Sequence, residues 1–249
     1  MLALLAGLAL IAQPPEGCLA AAAESALRAQ GREAPDARAL MREVHVFVDG
    51  VEPADLAEAL ERRGFQLLRF TPKPGELAAI VKVLPALVSL SPGHVVAAFE
   101  GEAMDPDGPR LFALDAAALA RAEGSAAYVV LDHRAEHAAE LRGLAPVRWR
   151  SENARYRSQV YASRAREPGA DRAALLELAV KFAPQEAPLQ NDLGVALAER
   201  GRYEDAVAAF DRALYADPGL EAATRNRNRA QRLLDAARKA GAATSTRVK

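Results

Sequence analysis

The sequence predicts an α+β domain followed by an all-α helical array. Short apolar strands alternate with helical segments up to residue 132, and every later segment has a helical pattern. Of the 249 residues, 51% are hydrophobic, which is enough to bury a core, and only 5% are aromatic. This composition favours closely packed helices over a large sheet.

The segments up to residue 63 are mainly helical in pattern. Residues 13–17 form a loop, because two prolines there remove backbone donors. The Ala-rich run that starts at Cys18 is a strong helix former, and Gly31 takes the position at which helices commonly end. Residues 44–48 alternate in polarity and fit either a short strand or an extended link. The predicted helices cover residues 18–30, 35–42 and 52–63.

A sheet-forming region follows. Its apolar runs are short, and turn sequences such as residues 91–93 and 105–108 separate them. The predicted strands cover residues 65–70, 86–90, 94–99, 111–114 and 126–131. The predicted helices between them cover residues 76–83 and 116–122. Strands mixed with helices in this order indicate one α+β domain, which we place over residues 9–132.

Residues 187–220 carry small and large apolar residues at fixed spacing. The members of this pattern are Leu193, Gly194, Leu197, Gly201, Tyr203, Ala206, Phe210, Ala213 and Pro218. The pattern resembles the tetratricopeptide repeat family, whose helix–turn–helix unit is about 34 residues long. Gly194 and Ala206 would let two antiparallel helices approach closely, and Phe210 would fill the space between them.

One such unit cannot bury both of its faces, so neighbouring units are expected. A degenerate copy precedes it, with a first helix over residues 152–164. Residues 220–239 suit a capping helix with Leu233 and Leu234 inside. The tetratricopeptide region is therefore predicted over residues 150–240.

The repeat array suggests a groove for a peptide or protein segment. Asn191, Val195 and Ala198 lie on one helix at spacings that put them on one wall of this groove. A short array can also serve only to brace the neighbouring domain. Both interpretations stay open at this point.

Four residues stand in an order that points to nucleophilic catalysis. Gln13 precedes Cys18, which opens a helix; His94 follows a glycine and starts a strand; Asp105 precedes a proline after a short hairpin. This order resembles the bacteriocin-processing, double-glycine-leader branch of the papain-like cysteine peptidases. The resemblance covers about residues 9–131, including the order of helices and strands. One departure is Leu19, which stands where that family has a glycine after the cysteine.

The resemblance implies a role for each of the four residues. A thiol at a helix N-terminus feels the positive end of the helix dipole, which is expected to lower the pKa of Cys18. His94 would exchange a proton with the thiol and the leaving amine, and Asp105 would orient the imidazole. The Gln13 amide, together with a backbone N–H, would bind the oxyanion. The reaction implied is acyl transfer through a thioester, with a peptide bond as substrate.

Charge and composition exclude several classes of function. The net charge of -1 gives no indication of nucleic acid as a partner, and the single cysteine excludes an intrachain disulfide. The sequence lacks nucleotide-binding glycine patterns and zinc–cysteine spacing, so we expect no cofactor and no metal. His133 and His137 share a helix face, but no third ligand stands nearby.

The apolar run of residues 1–12 is too short to cross a bilayer. It suits the core of a signal peptide, which would export the protein, for example to the periplasm. It also suits the first strand of the domain, so a cytoplasmic location stays open.

Three hypotheses follow for the whole chain. The first is a cysteine peptidase-like protein that cleaves or binds peptide segments and recruits a partner through its repeats. The second is a non-catalytic adaptor with an inactive peptidase-like domain. The third is a structural repeat protein with an unrelated N-terminal domain.

Overall fold

The structure is a computed structural model. It describes residues 17–44, 46–47, 50–91, 94–108, 110–123, 125–132, 135–136, 139, 143–144 and 146–246. Within these residues the fold is mixed α+β, as the sequence predicts. The chain divides into two compact units, residues 1–153 and 154–249. The sequence predicts domains over residues 9–132 and 150–240, with the boundary between residues 132 and 146.

The first unit is built around an antiparallel sheet. Two short strands, β1 (Val46–Phe47) and β2 (Gly50–Val51), pair separately. The strands of the main sheet are β3 (Gln66–Phe70), β4 (Ala86–Ser91), β5 (His94–Phe99), β6 (Glu102–Asp105), β7 (Arg110–Ala113) and β8 (Ala127–Leu131). Their order across the sheet is β3-β8-β4-β5-β6-β7, so β8 inserts between β3 and β4. Every described pairing in this sheet is antiparallel.

Helices cover both faces of this sheet. On one face lie α1 (Cys18–Ala29), α2 (Ala37–Met41) and α3 (Pro53–Glu61). On the other face lie α4 (Glu76–Ile80), α5 (Ala116–Ala122) and the start of α6 (Pro146–Arg164). The side chains of β5 alternate between the two cores: Val95, Ala97 and Phe99 pack with α1, whereas Val96 and Ala98 pack on the opposite side.

Local sequence explains how α1 and α2 form and pack. The alanines of α1 at positions 20–23 are fully buried, and their small side chains let the helix lie close to the sheet. Gly31 has a φ of 66°, a left-handed conformation that ends the helix at little steric cost. Asp36 caps α2 by accepting a hydrogen bond from the Ala39 N–H at 3.0 Å.

A buried carboxylate joins α1 to α2. Glu24 is only 2% exposed. One of its oxygens accepts a hydrogen bond from the Ala37 N–H at 2.7 Å, and the other is 2.6 Å from the Arg28 guanidinium. Both carboxylate oxygens are therefore satisfied, which is what a buried charge requires.

The start of α6 belongs to the core of the first unit. Trp149 is fully buried and stacks on Phe70 with ring centroids 4.9 Å apart. Its indole N–H donates to Glu76 at 3.0 Å, and Arg148 also binds that carboxylate. These contacts explain why the first unit includes residues up to Asn153.

The second unit is entirely helical in its described part. After the remainder of α6 it contains α7 (Arg172–Phe182), α8 (Ala187–Glu199), α9 (Tyr203–Ala216) and α10 (Glu221–Thr246). From α7 onward each helix packs against the next, and α10 also contacts α8. Arg157 and Tyr161 of α6 lie against the ring of Phe182 in α7.

Close approach of α8 and α9 depends on a glycine. A Cβ atom at Gly194 would lie 2.5 Å from Cε1 of Phe210, closer than non-bonded carbons approach. Phe210 is 1% exposed, so its ring occupies the space that a side chain at position 194 would need. The predicted packing of Gly194 against Phe210 is therefore present.

Several predicted elements match the structure closely, and others do not. Strand β5 and helix α5 begin and end at the predicted residues. Strand β6 was missed, because no element was predicted for residues 102–104 and Asp105 was interpreted as part of a turn. The prediction that both Leu233 and Leu234 lie inside is wrong for Leu233, which is 39% exposed. Adjacent helical residues point about 100° apart, so both cannot face one narrow contact.

Candidate functional site

Cys18 is the first residue of α1, as predicted. Gly17 precedes the helix, and its carbonyl accepts the first helical hydrogen bond, from the Ala21 N–H at 3.0 Å. The first turn of α1 contains no acidic residue. The Cys18 side chain is half-buried against the core on the α1 face of the sheet.

The pKa of the Cys18 thiol is raised, mainly because burial disfavours the charged thiolate. Backbone hydrogen bonds involving Val95 and Leu19 act in the opposite direction, and the Asp107 carboxylate adds to the increase. The expected lowering of this pKa by the helix N-terminus is therefore outweighed. In this arrangement the protonated thiol predominates at neutral pH.

His94 and Asp105 lie together at the same end of the sheet. Nε2 of His94, the first residue of β5, is 3.3 Å from Oδ1 of Asp105, the last residue of β6. Asp105 is held in place by the Asp107 N–H, which donates to Oδ1 at 3.0 Å, and by Arg110, whose guanidinium is 3.4 Å from Oδ2. The carboxylate is 12% exposed and the imidazole 27% exposed. The pair is thus accessible from outside while the carboxylate is fixed.

The hydrogen bond involving Val95 places Cys18 beside the residue that follows His94. Alternation along β5 puts the His94 side chain on the face of Val96, whereas Val95 faces α1. By this alternation the imidazole lies on the opposite face of the sheet from α1, the helix that carries Cys18. The structure thus brings His94 and Asp105 into contact and places Cys18 at the backbone of Val95, the residue that follows His94 in β5.

Gln13, the fourth residue of the predicted set, lies outside the described residues. The same holds for residues 1–12 and for His133 and His137. Within the described part of the chain, no cluster of three or more His, Cys, Asp or Glu side chains could hold a metal ion. No described helix combines the length and the apolar character that crossing a membrane requires.

A groove of about 220 Å³ lies between α8 and α10 in the second unit. Its apolar lining consists of Val195, Ala198, Phe210, Ala230 and Leu233. Its polar lining consists of Glu199, Asn226 and Arg229.

The three predicted groove residues have different positions. Val195 and Ala198 line the groove. Asn191 instead accepts a hydrogen bond from the Asn226 side chain at 3.0 Å and so links α8 to α10.

Sequence reasoning missed Arg110 and Arg229. Arg110 contacts Asp105 only because β6 and β7 pair in a register that sets these two residues opposite each other. Arg229 is one of five arginines on α10, and nothing in the sequence singled it out. Only the packing of α10 against α8 shows that Arg229 lines the groove.

Comparison with family models, with curated proteins and with solved structures gives no match for this chain.

Proposed function

We propose that this chain is a papain-like cysteine peptidase-type protein that acts on peptide bonds and holds a protein partner on a tetratricopeptide module. The observation that carries the first part is the cluster at the start of β5. There the His94–Asp105 pair lies at the start of the strand whose second residue, Val95, hydrogen-bonds Cys18 through its backbone. Cysteine, histidine and carboxylate in this order suit acyl transfer through a thioester.

In the proposed reaction the Cys18 thiol gives its proton to His94 as the sulfur attacks the carbonyl carbon of a peptide bond. His94 then protonates the leaving amine, and the acyl group stays on sulfur as a thioester. Water, activated by His94, hydrolyses the thioester and restores the thiol. Asp105 contacts Nε2, so Nδ1 is the ring nitrogen that exchanges protons.

The raised pKa of Cys18 bears on this mechanism. Burial keeps the resting thiol protonated, so His94 must act as a general base during attack and does not hold a preformed ion pair. The α1 N-terminus still favours the anion once it forms, because no acidic side chain in its first turn opposes the helix dipole.

The second part of the proposal rests on the contact between Gly194 and Phe210. A glycine on α8 lets α9 approach until the Phe210 ring fills the space, as the tetratricopeptide pattern requires. The neighbouring helices α7 and α10 cover the outer faces of this pair. The groove beside Val195 and Ala198 is then the surface that receives a partner.

A second candidate function is a binding-only adaptor with the same fold and no catalysis. Two observations favour it: burial raises the pKa of Cys18, and alternation directs His94 toward the other face of the sheet. In this case the peptidase-like unit would bind peptides without cleaving them.

Alkylation of Cys18 separates the two candidates. It is the only cysteine in the chain, so iodoacetamide incorporation reports on this thiol alone. If His94 is the general base, His94→Ala should slow the reaction near neutral pH by about tenfold or more. Arg121→Ala, an exposed change in α5, should leave the rate within about twofold.

Cleavage is measured in parallel with a mixture of unstructured peptides, whose new N-termini are identified by mass spectrometry. Cys18→Ala should abolish all cleavage. An alkylation rate that His94→Ala leaves unchanged, together with no cleavage by the native protein, would favour the adaptor.

A further inference from the structure

The groove between α8 and α10 is large enough for one or two amino-acid side chains but smaller than a typical metabolite site. Its volume of about 220 Å³ lies below the roughly 300–1,000 Å³ of typical small-molecule pockets. Its floor includes the buried Phe210, and Leu233 stands 39% exposed at its wall. An apolar floor of this size fits one or two aliphatic side chains of a bound chain segment.

The groove is held open before any partner binds. The Asn226 side chain donates to Asn191 at 3.0 Å and so fixes the spacing of α10 from α8. This contact uses one N–H donor of Asn226 and the side-chain oxygen of Asn191. A partner therefore need not displace a helix to enter.

The charges that line the groove do not balance. The Glu199 carboxylate is 3.2 Å from Arg172 of α7, which neutralises it. The guanidinium of Arg229, exposed on α10, makes no ion pair or hydrogen bond with the side chains that the structure describes in residues 154–240. One positive charge is thus left over beside an apolar floor.

Among the arginines of α10, Arg229 is the one that both lines the groove and lacks an ion pair among the described side chains. Three of them form ion pairs on the surface: Arg225 with Glu221 at 3.0 Å, Arg227 with Asp211 at 2.7 Å, and Arg238 with Glu204 at 2.6 Å. Arg232 has no ion pair among the described side chains either, but it is not part of the groove lining. It therefore offers a matched control.

We propose that this groove binds a partner protein through a segment in which an acidic side chain stands next to aliphatic ones. The inference rests on the proposed repeat module and names the chemistry of its partner. The aliphatic side chains occupy the floor over Phe210, and the side-chain carboxylate pairs with Arg229. Complementary charge of this kind sets partner choice and register more than it sets total affinity.

Binding of defined peptides to the full chain tests this inference. The probe is a fluorescent peptide of about twelve residues that repeats Leu-Glu-Glu-Leu, with both termini blocked so that only side chains carry charge. A second peptide has Gln in place of every Glu. Fluorescence anisotropy is measured for the native protein, Arg229→Gln and Arg232→Gln, each at low and high salt.

We expect the Glu peptide to bind the native protein about tenfold more tightly than the Gln peptide, and this preference to shrink at high salt. Arg229→Gln should remove the preference, whereas Arg232→Gln should keep it. The inference is overturned if both peptides bind the native protein equally, or if neither binds. It is also overturned if Arg229→Gln and Arg232→Gln reduce the preference for the Glu peptide equally. The overall positive charge of α10 would then explain the preference without a specific contact to Arg229.

These outcomes differ from a failure of the proposed function. Equal binding of both peptides would leave a working groove and remove only the acidic preference. Loss of the peptidase proposal appears in the alkylation and cleavage assays, which do not involve α10.

Discussion

Replacing Gly194 with alanine tests the packing of α8 against α9 with the smallest possible side chain. The new Cβ would lie 2.5, 2.7 and 2.8 Å from three carbons of the Phe210 ring. Ordinary carbon contacts begin near 3.5 Å, so the ring must retreat by about 1 Å. Phe210 is 1% exposed, so its ring is packed among neighbouring side chains and that movement is costly.

The free energy of unfolding should fall by about 2 kcal/mol. Overpacking of a core costs about 1–3 kcal/mol, and the tight contact places Gly194→Ala near the upper end. Alanine in a helix is favoured over glycine by about 1 kcal/mol, which offsets part of this cost. For a domain of roughly 60–100 residues, each kcal/mol lowers Tm by about 4–8 °C.

The assay is urea unfolding followed by circular dichroism for a double-mutant cycle. Phe210→Leu alone should destabilise the protein, because it removes buried ring contacts. The double variant should be less destabilised than the sum of the single variants, because leucine makes room for the new methyl group. If Gly194→Ala unfolds at the same urea concentration as the native protein or at a higher one, the change in stability is due to helix propensity alone. The close contact with Phe210 would then be refuted.

Three further predictions concern charged and titratable groups. Glu24→Gln should destabilise the first unit by about 1–3 kcal/mol, because the buried ionic partner of Arg28 is lost. Unfolding is followed by the fluorescence of the single, buried tryptophan. An unchanged midpoint of urea unfolding would contradict this prediction. The thiol of Cys18 should titrate at higher pH in the native protein than in the same protein unfolded in guanidinium, measured by absorbance of the thiolate. Because the unfolded chain then loses this proton first, Cys18 should reduce stability as the pH rises above the unfolded pKa; a native midpoint below the unfolded one would reverse that sign. Arg62 and Arg63 hold the pKa of the Glu43 carboxyl at about 2, so NMR titration should show that Arg63→Ala raises it toward the ordinary value, and no change would contradict the ion pair.

Helix and strand positions in the first unit were largely predictable from local pattern. The alanine run after Cys18 and the continuous apolar run after His94 each predict one element, and the structure has a helix and a strand there. The sequence did not reveal β6, because its four residues carry a turn sequence at one end and have little periodicity. Residues 102–105 form a strand because they pair with β5 on one side and with β7 on the other.

The candidate site was only partly predictable. The order of Cys18, His94 and Asp105 in the sequence predicted that these three residues share a site. The structure brings His94 into contact with Asp105. The direction of the Cys18 pKa could not be obtained this way. It depends on how deeply the thiol is buried, and burial results from packing between α1 and the sheet.

The sequence by itself determined the elements whose causes are local. Glycine ends α1 at Gly31, Asp36 caps α2, and the small residue at position 194 permits a close helix pair, since each effect acts within a few residues or one contact. Only the tertiary structure decided which distant side chains share a site. The opposition of Asp105 and Arg110 follows from strand register, and the leftover charge of Arg229 follows from the ion pairs that its neighbours make elsewhere. Register and ion pairing depend on where whole elements pack, and hydrophobic burial sets that packing across the entire chain.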